Sequence, residues 1–502
     1  MEETRGASKR QRIEPKHALE VLPGSAWRII GKHVADFDRV AYGFTCRTFL
    51  EAVTMATANP DPKKKVALKT DLTDDKLFEQ MPRFSLGWFQ WVLRSFKRRK
   101  GARHNWEYYD HLYDSDLLHL AAFQGSKKVI KWLVSQGIPL DMEREDDDGM
   151  EREDDDGVPA SVVAAKGAAC GGHIELLEWL RSEGCWFDEE TCRGAAAGGH
   201  LEVLQWVRSQ DPPCPWDKRT CSVAARRGHL DVLQWARSQD PPCDWDAGTC
   251  EYAARGGHLD VLKWARSQDP PCDWDSGTCW AAARRGHLDV LQWARSQDPP
   301  CDWGASTCWG AAAGGHLDVL KWARSQDPPC RWDSGTCREA AAGGHLDVLQ
   351  WARSQTPPCP WDRQTCELAA KRGHLAVLQW VRSQDPPCDW NWMTCALAAR
   401  FGHIDVLKWL RSQTPPCPWN AETCSWAARD GRLHLLQWAR SQDPPCPWDE
   451  MTCEWAAEGG HLEVLQWARS QDPPCDWNPA DCRREAKFFN RQHVIEWIDA
   501  NS

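Results

Sequence analysis

No apolar run in the 502 residues reaches the roughly 20 residues that span a bilayer. The opening MEETRGASKRQRIEPKH holds no apolar segment of the signal-peptide kind. An intracellular protein, cytoplasmic or nuclear, is the expectation. The short motifs that announce catalysis are missing as well: there is no GxSxG, no P-loop and no HExxH. Acidic and basic residues recur on a fixed grid instead of converging once. An enzyme is therefore the least expected class, and no catalytic residue, metal or cofactor is assigned. Excess positive charge is lacking too. Lys and Arg number 61 against 72 Asp and Glu, a net charge of −11, which disfavours non-specific nucleic-acid binding. The imbalance is uneven. Residues 1–110 hold 21 Lys+Arg and 14 Asp+Glu, so the rest of the chain carries a balance of −18.

What is present is one 29-residue sentence, repeated. Thr249 to Gly277 reads TCEYAARGGHLDVLKWARSQDPPCDWDSG, and the next unit reads TCWAAARRGHLDVLQWARSQDPPCDWGAS. The Thr-Cys pair recurs ten times from Thr191 to Thr452, and Asp481-Cys482 closes the series. Self-similarity at a fixed period is the signature of a repeat architecture. Each unit contains two helices and a loop. The first helix runs from Thr249, read as its N-cap, to about Gly256, with small Ala253-Ala254 pairs for close approach. Gly257 suits the left-handed C′ position. The second helix runs from His258 to about Gln268, with Leu259, Val261, Leu262, Trp264 and Ala265 on one face. Asp269-Pro270 stops it. One unit cannot bury its apolar faces alone, so stacking into an all-α solenoid follows.

AAxxGHLDVLxW resembles the core of the ankyrin repeat, whose pattern includes TPLHxAAxxGHLEVV, over roughly residues 111–500. The period is 29 instead of 33, Thr-Cys replaces TPLH, and Trp replaces an aliphatic. The likeness is therefore to a short, Trp- and Cys-rich ankyrin variant. The residues missing from each unit fall where ankyrin proteins carry a β-hairpin, so little or no β structure is expected. The resemblance implies a helical-repeat scaffold that binds protein partners on its concave face.

Residues 1–17 are polar and read as disordered. Residues 18–56 form an F-box-like helical segment: Leu22-Pro23 opens it, and Phe37, Val40, Ala41 and Phe44 follow helical spacing. Cys46, Arg47 and Phe49 complete the resemblance. An F-box docks on a Skp1-type adaptor of cullin ubiquitin ligases, which points to Leu22, Pro23, Ile29, Phe37, Val40 and Phe44 as adaptor-binding. The alternative is a helical cap for the solenoid. Residues 57–70 read as a linker and 71–141 as degenerate repeats. Within the latter, Lys97-Arg98-Arg99-Lys100 reads as a solvated helix end, with a nuclear-import signal as its alternative. Residues 142–157, MEREDDDG twice, are an acidic loop expected to be disordered. Regular repeats fill 158–480, and 481–502 form a polar-faced capping repeat.

Of 24 cysteines, eleven follow the helix cap (Cys192 to Cys482) and eleven lie in the loop (Cys185 to Cys475). Without a secretory signal they read as reduced thiols. A Cys-x6-Cys plus His set recurs, as in Cys214, Cys221 and His229, but buried structural thiols are preferred to zinc. The ten His of the Gly-His position read as hydrogen-bonding between repeats. The periodic Trp read as packing. Trp280, Trp309, Trp426 and Trp455 occur in only some repeats and are candidates for a partner-binding surface. So are the cations before the turn glycine: Arg226, Arg227, Arg255, Arg284, Arg285, Lys371, Arg372, Arg400 and Arg429. In an ankyrin protein these would rim the concave face and suit an acidic protein partner. Their bland reading is compensation of helix dipoles. The leading expectation is a non-enzymatic protein–protein interaction scaffold. An F-box substrate receptor is second, and a nucleic-acid-binding repeat protein third.

Overall fold

The computed structural model describes residues 66–67, 84–99, 112–138, 140 and 160–502. The F-box-like segment and the acidic octapeptides lie outside the described residues. Those described form 27 helices. Three short strands, Val66–Ala67, Phe96–Arg99 and Leu112–Tyr113, pair in parallel. The first falls in the stretch read as a linker. The second takes in most of the basic run read as a helix end. A strand forms there because the helix Leu86–Ser95 stops at Ser95 and Phe96 continues extended, pairing with Val66.

Two compact units divide the chain, up to Asp244 and from Trp245 onward. The first holds helix pairs such as Glu189–Gly198 with Leu201–Arg208, and Lys218–Arg227 with Leu230–Arg237. The second begins with Ala247–Gly256 and Leu259–Arg266. It continues through Ser276–Arg285 and Leu288–Arg295 to Pro479–Phe488 and Gln492–Asn501.

The first helix starts one turn earlier than the Thr-Cys pair suggests. Its N-cap is Asp246, in extended conformation, whose Oδ1 accepts from the Gly248 amide at 3.0 Å. Thr249 is three residues inside, fully buried, and its amide donates to the Asp246 carbonyl at 2.9 Å. An aspartate is a stronger cap than threonine, and it occupies the position where four amides need acceptors. Threonine keeps a capping role in one repeat. Thr423 Oγ1 accepts from the Asn420 amide at 3.4 Å, closing a capping box.

Gly257 ends the helix at φ +79°, a conformation that side chains with a Cβ resist. It is needed a second time, because a Cβ there would lie 2.5 Å from the His287 ring of the next repeat. The chain then turns, and His258 becomes the N-cap of the second helix. Val261, Leu262 and Ala265 are buried while Asp260 and Lys263 are exposed. Full burial of a side chain like Leu262 contributes about 1.5–3 kcal/mol.

The loop after this helix is held by its own repeat. The Cys272 amide donates to the Ala265 carbonyl at 3.0 Å, and Arg266 Nη1 donates to the Cys272 carbonyl at 2.6 Å. The same guanidinium sits 4.3 Å from the Trp274 ring centre. Trp274 in turn packs edge-on against Trp293 of the next repeat, 5.8 Å away at 66°. The pattern recurs with little variation from Trp245–Trp264 to Trp448–Trp467.

The cysteines pair differently from the Cys-x6-Cys reading. Cys250 of the first helix faces Cys272, 22 residues on, across the same repeat. Its Sγ lies 3.9 Å from the Cys272 carbonyl, and Cys272 Sγ donates to the Asp246 carbonyl at 3.3 Å. Cys214 and Cys221 likewise face different partners, Cys192 and Cys243. The loop cysteine returns to the cap of its own first helix, a closure that sequence spacing does not display. The described cysteines are free and buried. The neighbouring Cys272 thiol and burial push the Cys250 thiol up. Burial pushes Cys482, at the end of the series, up to about 12.

Candidate functional site

The candidate residues all lie on first helices, and they divide by position. Trp280 and Trp309 are third in their repeats, counting from Thr. Trp426 and Trp455 are fourth. One helical residue is a turn of about 100°, so the two pairs do not share a face. Trp309, at 36% the more exposed, donates from Nε1 to Oδ1 of Asp333, the N-cap of the following repeat, at 2.7 Å. In other repeats arginine takes this third position for the same purpose. Arg193 Nε donates to Asp217 at 3.1 Å, and Arg338 Nε to Asp362 at 3.0 Å. The Arg338 guanidinium holds the Asp362 carboxyl below its usual range. In these three repeats the third position bonds one repeat to the cap of the next, a coupling the sequence reading missed. The signal was there: an Asp lies 24 residues after Arg193, Trp309 and Arg338, whereas Trp280 meets Gly304.

The fourth, seventh and eighth positions build a different surface, developed most fully in the second unit between residues 371 and 458. Arg400 lies 5.4 Å from the Trp426 ring and 5.5 Å from Phe401, and Arg429 lies 5.6 Å from Trp455. Lys371 reaches the Phe401 ring at 5.4 Å. Arg400 also pairs with Asp430 at 3.3 Å, and Arg429 with Glu458. Cation and ring alternate from one repeat to the next, with carboxylates closing the charge. All of these side chains are half-buried. Glu458 was not among the sequence candidates. It occupies the seventh position, where the other repeats of this stretch carry a cation.

The remaining cations behave differently. Arg226 and Arg227 end the helix Lys218–Arg227 of the first unit and are half-buried, as is Arg255 at the end of Ala247–Gly256. Arg284, Arg285 and Arg372 are exposed. Arg284 lies 5.6 Å from the Trp280 ring one turn back on its own helix. The stripe drawn from sequence is therefore not uniform. The helices Ala305–Gly314 and Ser334–Gly343 interrupt it, ending in Ala313-Gly314 and Ala342-Gly343. Leu22, Pro23, Ile29, Phe37, Val40 and Phe44 lie outside the described residues.

Histidine forms a ladder behind this face. His287 Nε2 meets the Arg255 carbonyl of the preceding repeat at 3.3 Å, and His345 meets Ala313 at 3.1 Å. His374 reaches Ala342 at 3.1 Å and His403 reaches Lys371 at 3.1 Å. Nε2 must carry the proton to donate. Arg432, standing in the histidine position, donates Nε to the Arg400 carbonyl at 3.1 Å. Burial lowers the pKa of His374, His403 and His461.

This is a helical-repeat protein. No protein-family profile matches the chain, and no curated protein does. Among solved structures it is similar to the pentatricopeptide repeat protein PPR10 in complex with an 18-nt psaJ RNA element. It is equally similar to a cysteine-to-serine form of that protein in complex with an 18-nt psaJ RNA element. Each comparison gives 13% identity and a TM-score of 0.31, over 77% of this chain and 66% of the other. The chain spans just under two thirds of those structures' length. A likeness this remote fixes neither residue correspondence nor ligand.

Among the described residues no group of three or more His, Cys, Asp or Glu converges as a metal site would require. No described helix is long and apolar enough to cross a membrane.

Proposed function

We propose that the chain is a non-enzymatic, ankyrin-like scaffold that binds a protein partner through the first-helix face of its second unit. One observation carries this reading: the ladder of Lys371, Phe401, Arg400, Trp426, Arg429 and Trp455. Tryptophan and arginine are the side chains most often found to dominate protein interfaces. Here they gather on three consecutive repeats, at positions that vary while the packing positions do not. Half-buried rings held by neighbouring guanidinium groups are pre-oriented, so binding freezes few rotamers.

Affinity purification of the wild type beside a Trp426→Ala/Trp455→Ala variant tests the proposal. A specific partner retained by the wild type and lost by the variant supports it. Identical partner sets refute it. The adaptor role of residues 18–56 rests on their sequence pattern alone. Its test is co-purification of a Skp1-type adaptor, abolished by Leu22→Ala/Phe37→Ala.

A further inference from the structure

Cations at the ends of first helices in the second unit divide into two kinds. Those in the seventh position from Lys371 onward are each engaged within the molecule. Arg400 has Asp430, Arg429 has Glu458, and Lys371 has the Phe401 ring. Arg285 and Arg372 are exposed and have no ion-pair partner among the described residues. Both are eighth in their repeats and lie three repeats apart. Arg284 stands beside the first, stacked on Trp280. A protein with a net charge of −11 has carboxylates to spare for such positions and uses them one repeat further on.

Between the two open cations the seventh and eighth positions carry almost no side chains. The seventh and eighth residues there are Ala313-Gly314 and Ala342-Gly343. Helix packing explains these glycines: a Cβ on Gly314 would lie 2.3 Å from the Arg284 carbonyl, and one on Gly343 would lie 2.9 Å from the Ala313 carbonyl. The consequence for a visitor is that no long side chain projects from the seventh and eighth positions between Arg285 and Arg372, while the half-buried Glu339 at a fourth position favours an uncharged middle to whatever lies there.

We infer that this stretch holds an extended acidic peptide segment of the partner, with one carboxylate cluster at Arg284/Arg285 and a second at Arg372. The inference rests on the scaffold reading above and names the chemistry of its partner. Packed helices sit about 8–10 Å apart, so three repeats place the two cationic points about 25–30 Å apart. An extended chain covers about 3.3–3.6 Å per residue, so about eight residues separate the two acidic clusters. A peptide is favoured over nucleic acid because two isolated cationic points match two acidic clusters. A phosphate backbone presents charge continuously and would meet the acidic remainder of the chain.

The test uses the full chain and two labelled peptides at low ionic strength. One is Glu-Glu-(Gly-Ser)4-Glu-Glu, and the other has a single Gly-Ser between the acidic pairs. Fluorescence anisotropy should show the long peptide binding roughly five- to tenfold more tightly, since only it bridges both points. Arg285→Glu/Arg372→Glu should lower its affinity about tenfold and flatten the salt dependence. Both positions are exposed, so the variant keeps the wild-type circular dichroism. Lys263→Ala, at an exposed position on a second helix, should leave the long peptide's affinity unchanged. Equal affinity for the two peptides, or indifference to the charge reversal, overturns the inference. So does tighter binding of an oligouridylate of equal charge. Each of these results leaves the scaffold reading standing, since that reading is tested by the partner set lost in Trp426→Ala/Trp455→Ala.

Discussion

The two edges of a repeat obey different rules. Along the loop edge every unit repeats the same contacts: Arg on Trp, Trp on the next Trp, and guanidinium on the cysteine carbonyl. The Arg-to-carbonyl distance stays between 2.5 and 2.7 Å from Arg266 to Arg440. On the first-helix face the equivalent positions hold Arg, Ala, Lys, Glu, Gly, Phe or Asp. The loop edge is uniform because its tryptophan contact joins every repeat to the next, and the arginine that holds each ring is fixed within its own loop, so a change in one unit must be matched in its neighbour. The first-helix face couples only some repeats, through pairs such as Arg400 with Asp430, so its other positions can answer to a partner instead.

The strongest test of this contrast is Trp293→Ala. It removes the edge-on partner of Trp274 and leaves a gap between repeats, and should destabilise by about 2–4 kcal/mol. Urea unfolding, with hydrogen exchange on the flanking helices, should localise the loss to adjacent repeats. A shift below about 1 kcal/mol would place the support elsewhere.

Next in size is Arg266→Ala, which loses the charge-assisted bond to the Cys272 carbonyl and the stack on Trp274. About 1–2 kcal/mol is expected. Arg266→Lys should recover less than half, because one ammonium cannot stack flat and donate in the same geometry.

Acid should weaken the histidine ladder. Burial lowers the folded-state pKa of His374, His403 and His461, so these rings fold neutral. Their contribution is complete above the ordinary histidine pKa of about 6.5 and is lost as pH falls from there through the lowered folded values. Thermal melts should decline over that window. Replacing His403 with Arg, as position 432 has it, should make the decline shallower. A melting temperature flat down to pH 5 would contradict this.

The smallest effect belongs to the variable face. Trp426→Ala should change stability by less than about 1 kcal/mol while removing partner binding. A larger loss of stability would make that tryptophan part of the packing.

The helix pairs, their stacking and the inter-repeat role of histidine were legible because each is written many times. Leu262 and Val261 fall on one face by spacing alone. The cap lies one turn before Thr-Cys, and the regularity of that pair reports something other than capping. It marks burial instead. The pairing of Cys250 with Cys272 was illegible, since it depends on how the loop folds back. On the first-helix face, Trp309 and Trp426 looked alike in sequence because both follow the cap cysteine. One residue's offset turns them to different neighbours. The neutralisation of Arg400 and Arg429 required knowing that a seventh residue meets the eighth or seventh of the next unit.

The ladder of ring nitrogens has a direction. Every donor in it reaches back to a carbonyl made earlier in the chain, from His287 to Arg255 onward. A ribosome delivers residues in that order, so each imidazole emerges to find its acceptor already folded. The two ends of such a stack are consequently not equivalent. Trimming repeats from the carboxyl end uncovers carbonyls, which water satisfies readily. Trimming from the amino end uncovers an imidazole, and loss of the burial that lowers its pKa should let that first ring take up a proton nearer the ordinary histidine value.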